Sequence, residues 1–193
     1  MESNLDDVRK DVISCTRCEL SKSRTNAVPG TGQIETGIVF IGEAPGRNED
    51  LQGEPFVGAA GKILSEALAY AGFSREDVYI TNVVKCRPPD NRRPNKQEID
   101  SCGIYLKKEL EIIKPKMICI LGNTAFGSLL GGGEITKNRG KVIKRDGQLY
   151  FVTVHPAAII YNQELRQVIK DDLKALHDIL DKIKKGIKIE INE

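Results

Sequence analysis

No stretch of this 193-residue sequence approaches the roughly 18–20 consecutive apolar residues that cross a bilayer, which excludes a membrane-spanning helix. The first twelve residues, MESNLDDVRKDV, are charged and helix-like and lack the apolar centre of a secretory leader. The chain is therefore expected in the cytoplasm, with no membrane partner. Low-complexity tracts, internal repeats and Pro/Gly-rich linkers are also missing, which argues for one domain over residues 1–193, long enough to bury a substantial core. The composition, 40% hydrophobic and 29% charged, is that of an ordinary globular protein. A large charge of one sign is lacking too: the net charge is +2, so any attraction for an anionic polymer must come from local clusters. Two such clusters exist. KCRPPDNRRPNK (85–96) holds five basic residues against one acidic, and KNRGKVIKR (137–145) holds five and none. Both suit a phosphate backbone, although solvated loop charge is the plainer reading.

What is present is an alternation. Four short apolar runs rich in β-branched residues each stop at a turn: GIVFIG (37–42), VYITNV (78–83), KMICIL (116–121) and LYFVTV (149–154). Near-continuous hydrophobicity marks strands buried on both faces, as in a parallel sheet. Helical patterns separate them. GKILSEALAYAG (61–72) puts Ile63, Leu64, Ala67, Leu68 and Ala71 on one face, and Asn95 with Glu98 forms a capping-box pair at the head of the segment 94–115. A short helix follows the third run at 122–132, and a long amphipathic one covers 164–185. The pattern predicts a three-layer α/β/α sandwich around a mainly parallel four-stranded sheet. Functional groups in such sheets gather at the carboxyl ends of the strands. Reading those ends gives GEAPG (42–46) after the first strand, Asn82 after the second and His155 after the fourth. Glu43, Asn82 and His155 are thereby expected on one rim.

The five cysteines divide into four and one. Cys15 and Cys18 form a C-x2-C pair, Cys86 and Cys102 flank the basic loop, and Cys119 sits inside an apolar run as a packed core thiol. Disulfides are disfavoured inside the cell. Spacing alone leaves zinc and an iron–sulfur cluster open, with unrelated free thiols as the bland alternative.

Together these stretches resemble family 4 uracil-DNA glycosylases, the iron–sulfur class of thermophilic archaea and bacteria. The likeness rests on CTRCELSKSRTNAVPGTG (15–32), VFIGEAPGRNEDLQGEPFVGAAGKIL (39–64), YITNVVKCRPPDNRRPNKQEIDSC (79–102), ICILGNTA (118–125) and TVHPAAII (153–160), which occur in order along nearly the whole chain. The resemblance implies one structural 4Fe–4S cluster on Cys15, Cys18, Cys86 and Cys102. It implies a pocket for a flipped-out uracil lined by Gly42, Glu43 and Ala44, with Phe56 stacking on the base and the Asn82 amide pairing with its edge. His155 is then the donor to the uracil oxyanion, and Glu43, with Glu49 as a second candidate, positions water or stabilises the sugar cation. The aspartate and tyrosine that family 1 enzymes carry in the first motif are here Ala44 and Gly46, so water activation and thymine exclusion must be solved differently, with the Glu43 side chain as the candidate for excluding thymine. Lys85, Arg87, Arg92 and Arg93 are expected on the DNA backbone, and Ile159 or Ile160 in the gap left by the flipped base. His177 is expected on the surface. The implied partner is uracil-containing DNA, single- or double-stranded; the chain is expected to be a monomer, and a sliding clamp is the protein partner the family brings to mind. Thermophily fits the Lys, Glu and Ile usage.

Rival readings are an iron–sulfur electron carrier and a non-catalytic DNA- or nucleotide-binding module. A carrier needs no rim of base-reading polar groups, and GEAPG lacks the Lys-Ser/Thr of a phosphate-binding P-loop. A related glycosylase type that becomes trapped on its product carries a histidine in the basic insertion after strand two. Residues 85–96 contain none.

Overall fold

The computed structural model describes residues 4–192. In chain order it contains α1 (Leu5–Ile13), α2 (Leu20–Ser23), β1 (Ile38–Gly42), α3 (Arg47–Gln52), α4 (Ala59–Ala71), β2 (Tyr79–Asn82), α5 (Lys96–Ile113), β3 (Met117–Leu121), α6 (Asn123–Leu130), α7 (Ile135–Asn138), β4 (Val142–Arg145), β5 (Gln148–Thr153), α8 (Ala158–Tyr161) and α9 (Leu165–Lys184). The sheet order is β2-β1-β3-β5-β4. The first four strands in that order are mutually parallel, and β4 pairs antiparallel with β5.

The expected four-stranded sheet thus has five strands. The fifth, β4, lies inside the basic stretch 137–145, where only Val142 and Ile143 are apolar between charged neighbours. An edge strand with one half-covered face needs no more than that. Several of that stretch's charges are engaged: Lys137 pairs with Glu134, and Arg139 with the buried Asp172 at 2.6 Å.

Side-chain alternation in β1 explains the layers. Ile38 and Phe40 join Leu64, Leu68, Met117, Phe151, Leu173 and Leu176 on the face covered by α4 and α9. Val39 and Ile41 join Val8, Val12, Leu106, Ile118, Ile120 and Phe126 on the face covered by α1, α5 and α6. Both faces are buried, as the unbroken apolar runs predict, and each fully buried Leu or Ile contributes about 1.5–3 kcal/mol. The five α4 residues assigned to its inner face are all buried. The capping box at Asn95 and Glu98 is present at the head of α5. Cys119 is fully buried in β3, as expected of a core thiol. His177 differs from expectation: its ring packs edge-on against Phe73 with centroids 5.0 Å apart, because the helix turns this polar position toward the end of α4.

Candidate active site

A cavity of about 580 Å³ opens at the carboxyl ends of β1, β2 and β5, lined among others by Glu43, Ala44, Phe56, Asn82, His155 and Ile160. The parallel register sets Gly42 beside Asn82. A Cβ at residue 42 would lie 2.5 Å from Asn82 Oδ1 and 2.6 Å from Phe56 Cζ, so only glycine lets the base of the pocket close. Asn82 is buried, and its side-chain amide makes no hydrogen bond among the described residues.

Phe56 holds a left-handed backbone conformation at φ 57°, which for an aromatic residue costs on the order of 1–3 kcal/mol and is retained only where the surroundings enforce it. The enforcement comes from α4: a Cβ at Gly61 would fall 1.7 Å from the Phe56 carbonyl oxygen. The Phe56 ring lies 5.8 Å from the His155 ring at 31°.

His155 follows β5. Its Nδ1 accepts a hydrogen bond from the Ala157 N–H at 3.1 Å, which assigns the single proton of the neutral ring to Nε2. Nε2 is closed off from solvent and has no hydrogen-bond partner among the described residues. Burial pushes the pKa down to about 4, so the ring is neutral at physiological pH. The site therefore holds an uncharged, unspent N–H donor. Glu43 is half-buried, and the Thr124 hydroxyl at the start of α6 donates to its carboxylate.

Glu49, the second candidate carboxylate, serves the backbone instead. Its Oε1 accepts from the Val57 and Gly58 N–H groups at 3.0 and 2.7 Å, and its Oε2 from Gly46 at 3.1 Å. With its oxygens spent on three main-chain donors it ties the GEAPG turn to the Phe56 loop, an organising position in place of the catalytic one expected of it.

A second cavity, beneath the basic loop, is lined by Cys15, Cys18, Cys86 and Cys102 together with Arg17, Arg24 and Tyr105. Three donors already address the sulfurs: Arg24 Nη1 to Cys86 at 3.0 Å, the Lys85 N–H to Cys102 at 3.2 Å and the Arg17 N–H to Cys15 at 3.5 Å. Burial pushes the Cys102 thiol up to about 12 and raises Cys86 as well. Deprotonating them as free thiols is unfavourable, and a bound cationic group would reverse that balance.

A model of the uracil DNA glycosylase superfamily matches residues 29–179. The chain is 48% identical over 191 residues to the type-4 uracil-DNA glycosylase of Archaeoglobus fulgidus, covering 94% of this chain and 96% of that one. The chain belongs to the type-4 branch of the uracil-DNA glycosylase superfamily. Further members are similar at 45% identity in Sulfurisphaera tokodaii (91% of this chain, 84% of the relative) and 44% in Thermotoga maritima (94% and 97%).

Two expectations for this glycosylase-family chain need correction. Lys85 is not at the DNA surface: its side chain is 1% exposed and its ammonium lies 2.7 Å from Glu109. Ile159 is fully buried, whereas Ile160 and Tyr161 are 46% and 90% exposed beside the pocket. One turn of α8 after Pro156 directs the first isoleucine inward and the next two side chains out. The rim gains Arg47, which went unnoticed although it directly follows GEAPG, and keeps Arg92 and Arg93. Arg92 is clamped by both oxygens of Glu98, while Arg87 lies off the pocket and is held by Asn91 at 2.7 Å.

Proposed function

We propose that this chain removes uracil from DNA by hydrolysing its N-glycosidic bond, leaving an abasic site as the first step of base excision repair. The observation that carries the reading is the neutral His155, with a free Nε2–H, in the same pocket as an unengaged Asn82 amide. Uracil inside a duplex is out of reach, so it must first be extruded at a cost of a few kcal/mol, least at a mismatch or in a single strand. In the pocket Phe56 stacks on the base, contributing about 1–3 kcal/mol. The Asn82 N–H donates to a uracil carbonyl and its oxygen accepts from the ring N–H, a pattern that cytosine reverses. Cleavage leaves negative charge on the base. His155 donates to it, and because the imidazole is neutral it stabilises that charge without protonating the base in the ground state. Glu43, steadied by Thr124, stands beside the developing sugar cation and supports both water placement and rejection of the thymine methyl. Arg47, Arg92 and Arg93 supply backbone attraction at the rim, and Ile160 with Tyr161 supplies the apolar group that fills the vacated stack.

The same reading assigns one 4Fe–4S cluster to Cys15, Cys18, Cys86 and Cys102. Four cysteines line one cavity, a donor set that suits zinc or an iron–sulfur cluster, and the likeness to the iron–sulfur class of glycosylases favours the cluster. Bound there, the cluster would clamp the N-terminal segment to the 86–102 loop and helix, a structural contribution with no electron transfer in the reaction.

Two measurements test this. Purified protein should be brown with about four irons per chain. Cys119→Ser should keep the colour, and Cys86→Ser should lose it and weaken DNA binding. Stoichiometric zinc without iron after anaerobic purification overturns the cluster. A uracil-containing oligonucleotide should yield free uracil with the cluster kept oxidised throughout; absence of turnover there would favour an electron carrier instead.

A further inference from the structure

Between the two cavities runs a buried segment of five residues. Asn82, Val83, Val84, Lys85 and Cys86 are all between 0% and 5% exposed. The segment continues past the end of β2 along the GEAPG turn, with Val83 N–H donating to Gly42 and Val84 N–H to Glu43 at 3.0 and 3.1 Å. Lys85 holds it at both ends. Its main-chain N–H donates to Cys102 Sγ at 3.2 Å and its carbonyl accepts from Val28 at 2.7 Å, fixing it to the cysteine cavity. Its ammonium turns back to donate to the Asn82 carbonyl at 2.9 Å.

The ammonium is anchored in turn by a buried cage. Glu109 Oε2 accepts from Lys85 at 2.7 Å and from Thr81 at 3.1 Å, and Oε1 accepts from Tyr79 at 3.2 Å and from the Gly30 N–H at 3.3 Å. A fully buried ion pair seldom adds net stability, since desolvating two charges offsets their attraction. Its position here, one bond from the main chain of the residue that faces the uracil edge, suits geometry better than stability. The Asn82 amide has no hydrogen-bonded neighbour among the described residues, and the contact that reaches this residue from Lys85 is to its main-chain carbonyl.

We propose that Lys85 is a positioning residue, which fixes Asn82 in the pocket through the Asn82 carbonyl and registers it against the cysteine site through its own main chain. The proposal rests on Asn82 being the base-reading residue. It predicts that losing the ammonium impairs recognition of the base more than it impairs folding or DNA affinity.

The test compares Lys85→Met/Glu109→Gln with Glu109→Gln alone. The double variant removes both charges together, so no unpaired carboxylate is left buried, and the iron absorbance should persist because the contact to Cys102 is made by the main chain. Its single-turnover excision rate is expected to fall about 100-fold, the scale for a misplacement near 1 Å in a reacting geometry. Affinity for free uracil should weaken in step, and affinity for undamaged DNA should hold. Glu109→Gln weakens the anchor, but its amide oxygen can still accept from the ammonium, so its rate should fall less than that of the double variant while thermal stability drops. A near-normal rate in the double variant overturns the proposal. Where the double variant does not fold, a rate loss in Glu109→Gln with unweakened affinity for free uracil overturns it. Asn82→Ala separates the two levels: if it excises uracil normally, the reading of the pocket fails, whereas loss in Asn82→Ala with a normal double variant rejects only the role of Lys85.

Discussion

Asn82→Ala is expected to lower the single-turnover rate of uracil excision by roughly 10³-fold. The base edge would be left with two polar groups unpaired in a closed pocket, at about 1–3 kcal/mol each. Asn82 lies buried at the end of β2, and Gly42 packs closely against both its amide oxygen and the Phe56 ring. Affinity for undamaged DNA should stay near its original value, because the buried amide would meet only an extruded base. Asn82→Asp, when one oxygen is protonated, should show slight activity on cytosine, whose donor and acceptor are exchanged. Near-normal excision by Asn82→Ala would mean that backbone groups alone read the base.

His155→Ala should cost roughly 10²–10³ in the chemical step, the usual scale for deleting one donor to a developing oxyanion. Binding of uncleaved substrate should change little, since the interaction strengthens only as charge moves onto the base. Glu43→Gln should cost less, because a dissociative, oxocarbenium-like route relies little on a general base. The reverse order of the two variants, measured as single-turnover rates, would make water activation the dominant factor. The acid limb is equally specific. Burial holds the ring's pKa down to about 4, so the neutral donor persists and the dependence of the rate on His155 should be flat from about pH 8 to pH 5. For folding the sign is that of a depressed group: the neutral ring contributes stability above its unfolded pKa of about 6.5, and that contribution is lost as pH falls toward 4. His155→Ala should shift the acid midpoint of unfolding to lower pH.

The sequence reveals the sheet wherever a strand is buried on both faces, because then most of its residues are apolar. It conceals β4, whose charged neighbours look like a loop. Convergence of Glu43, Asn82 and His155 follows from chain direction alone, since parallel strands bring their carboxyl ends to one edge. Lys85 was misjudged for a physical reason: a lysine in a basic loop looks like surface charge unless its partner is known, and Glu109 is 24 residues away on another element. Glu49 was misjudged likewise, since its three main-chain donors come from neighbouring turns whose geometry no periodicity encodes. The choice between Ile159 and Ile160 depends on a single helical turn, too short to leave a pattern.

The strand order also sets a timetable for synthesis. β1, β2 and β3, the four cysteines and Asn82 have all left the ribosome once Leu121 has emerged, and they can assemble as a three-stranded unit with α4 and α5. One edge of that unit is β3, whose sequence MICIL has no charge to deter pairing with another chain. Only the β4–β5 hairpin covers it, and His155 arrives with that same hairpin. A chain interrupted between Leu121 and Gln148 would therefore carry Asn82 and the four cysteines of the second cavity, yet be exposed to edge-to-edge aggregation. His155 and the strand that covers the β3 edge are delivered together, so a chain cut short there lacks both.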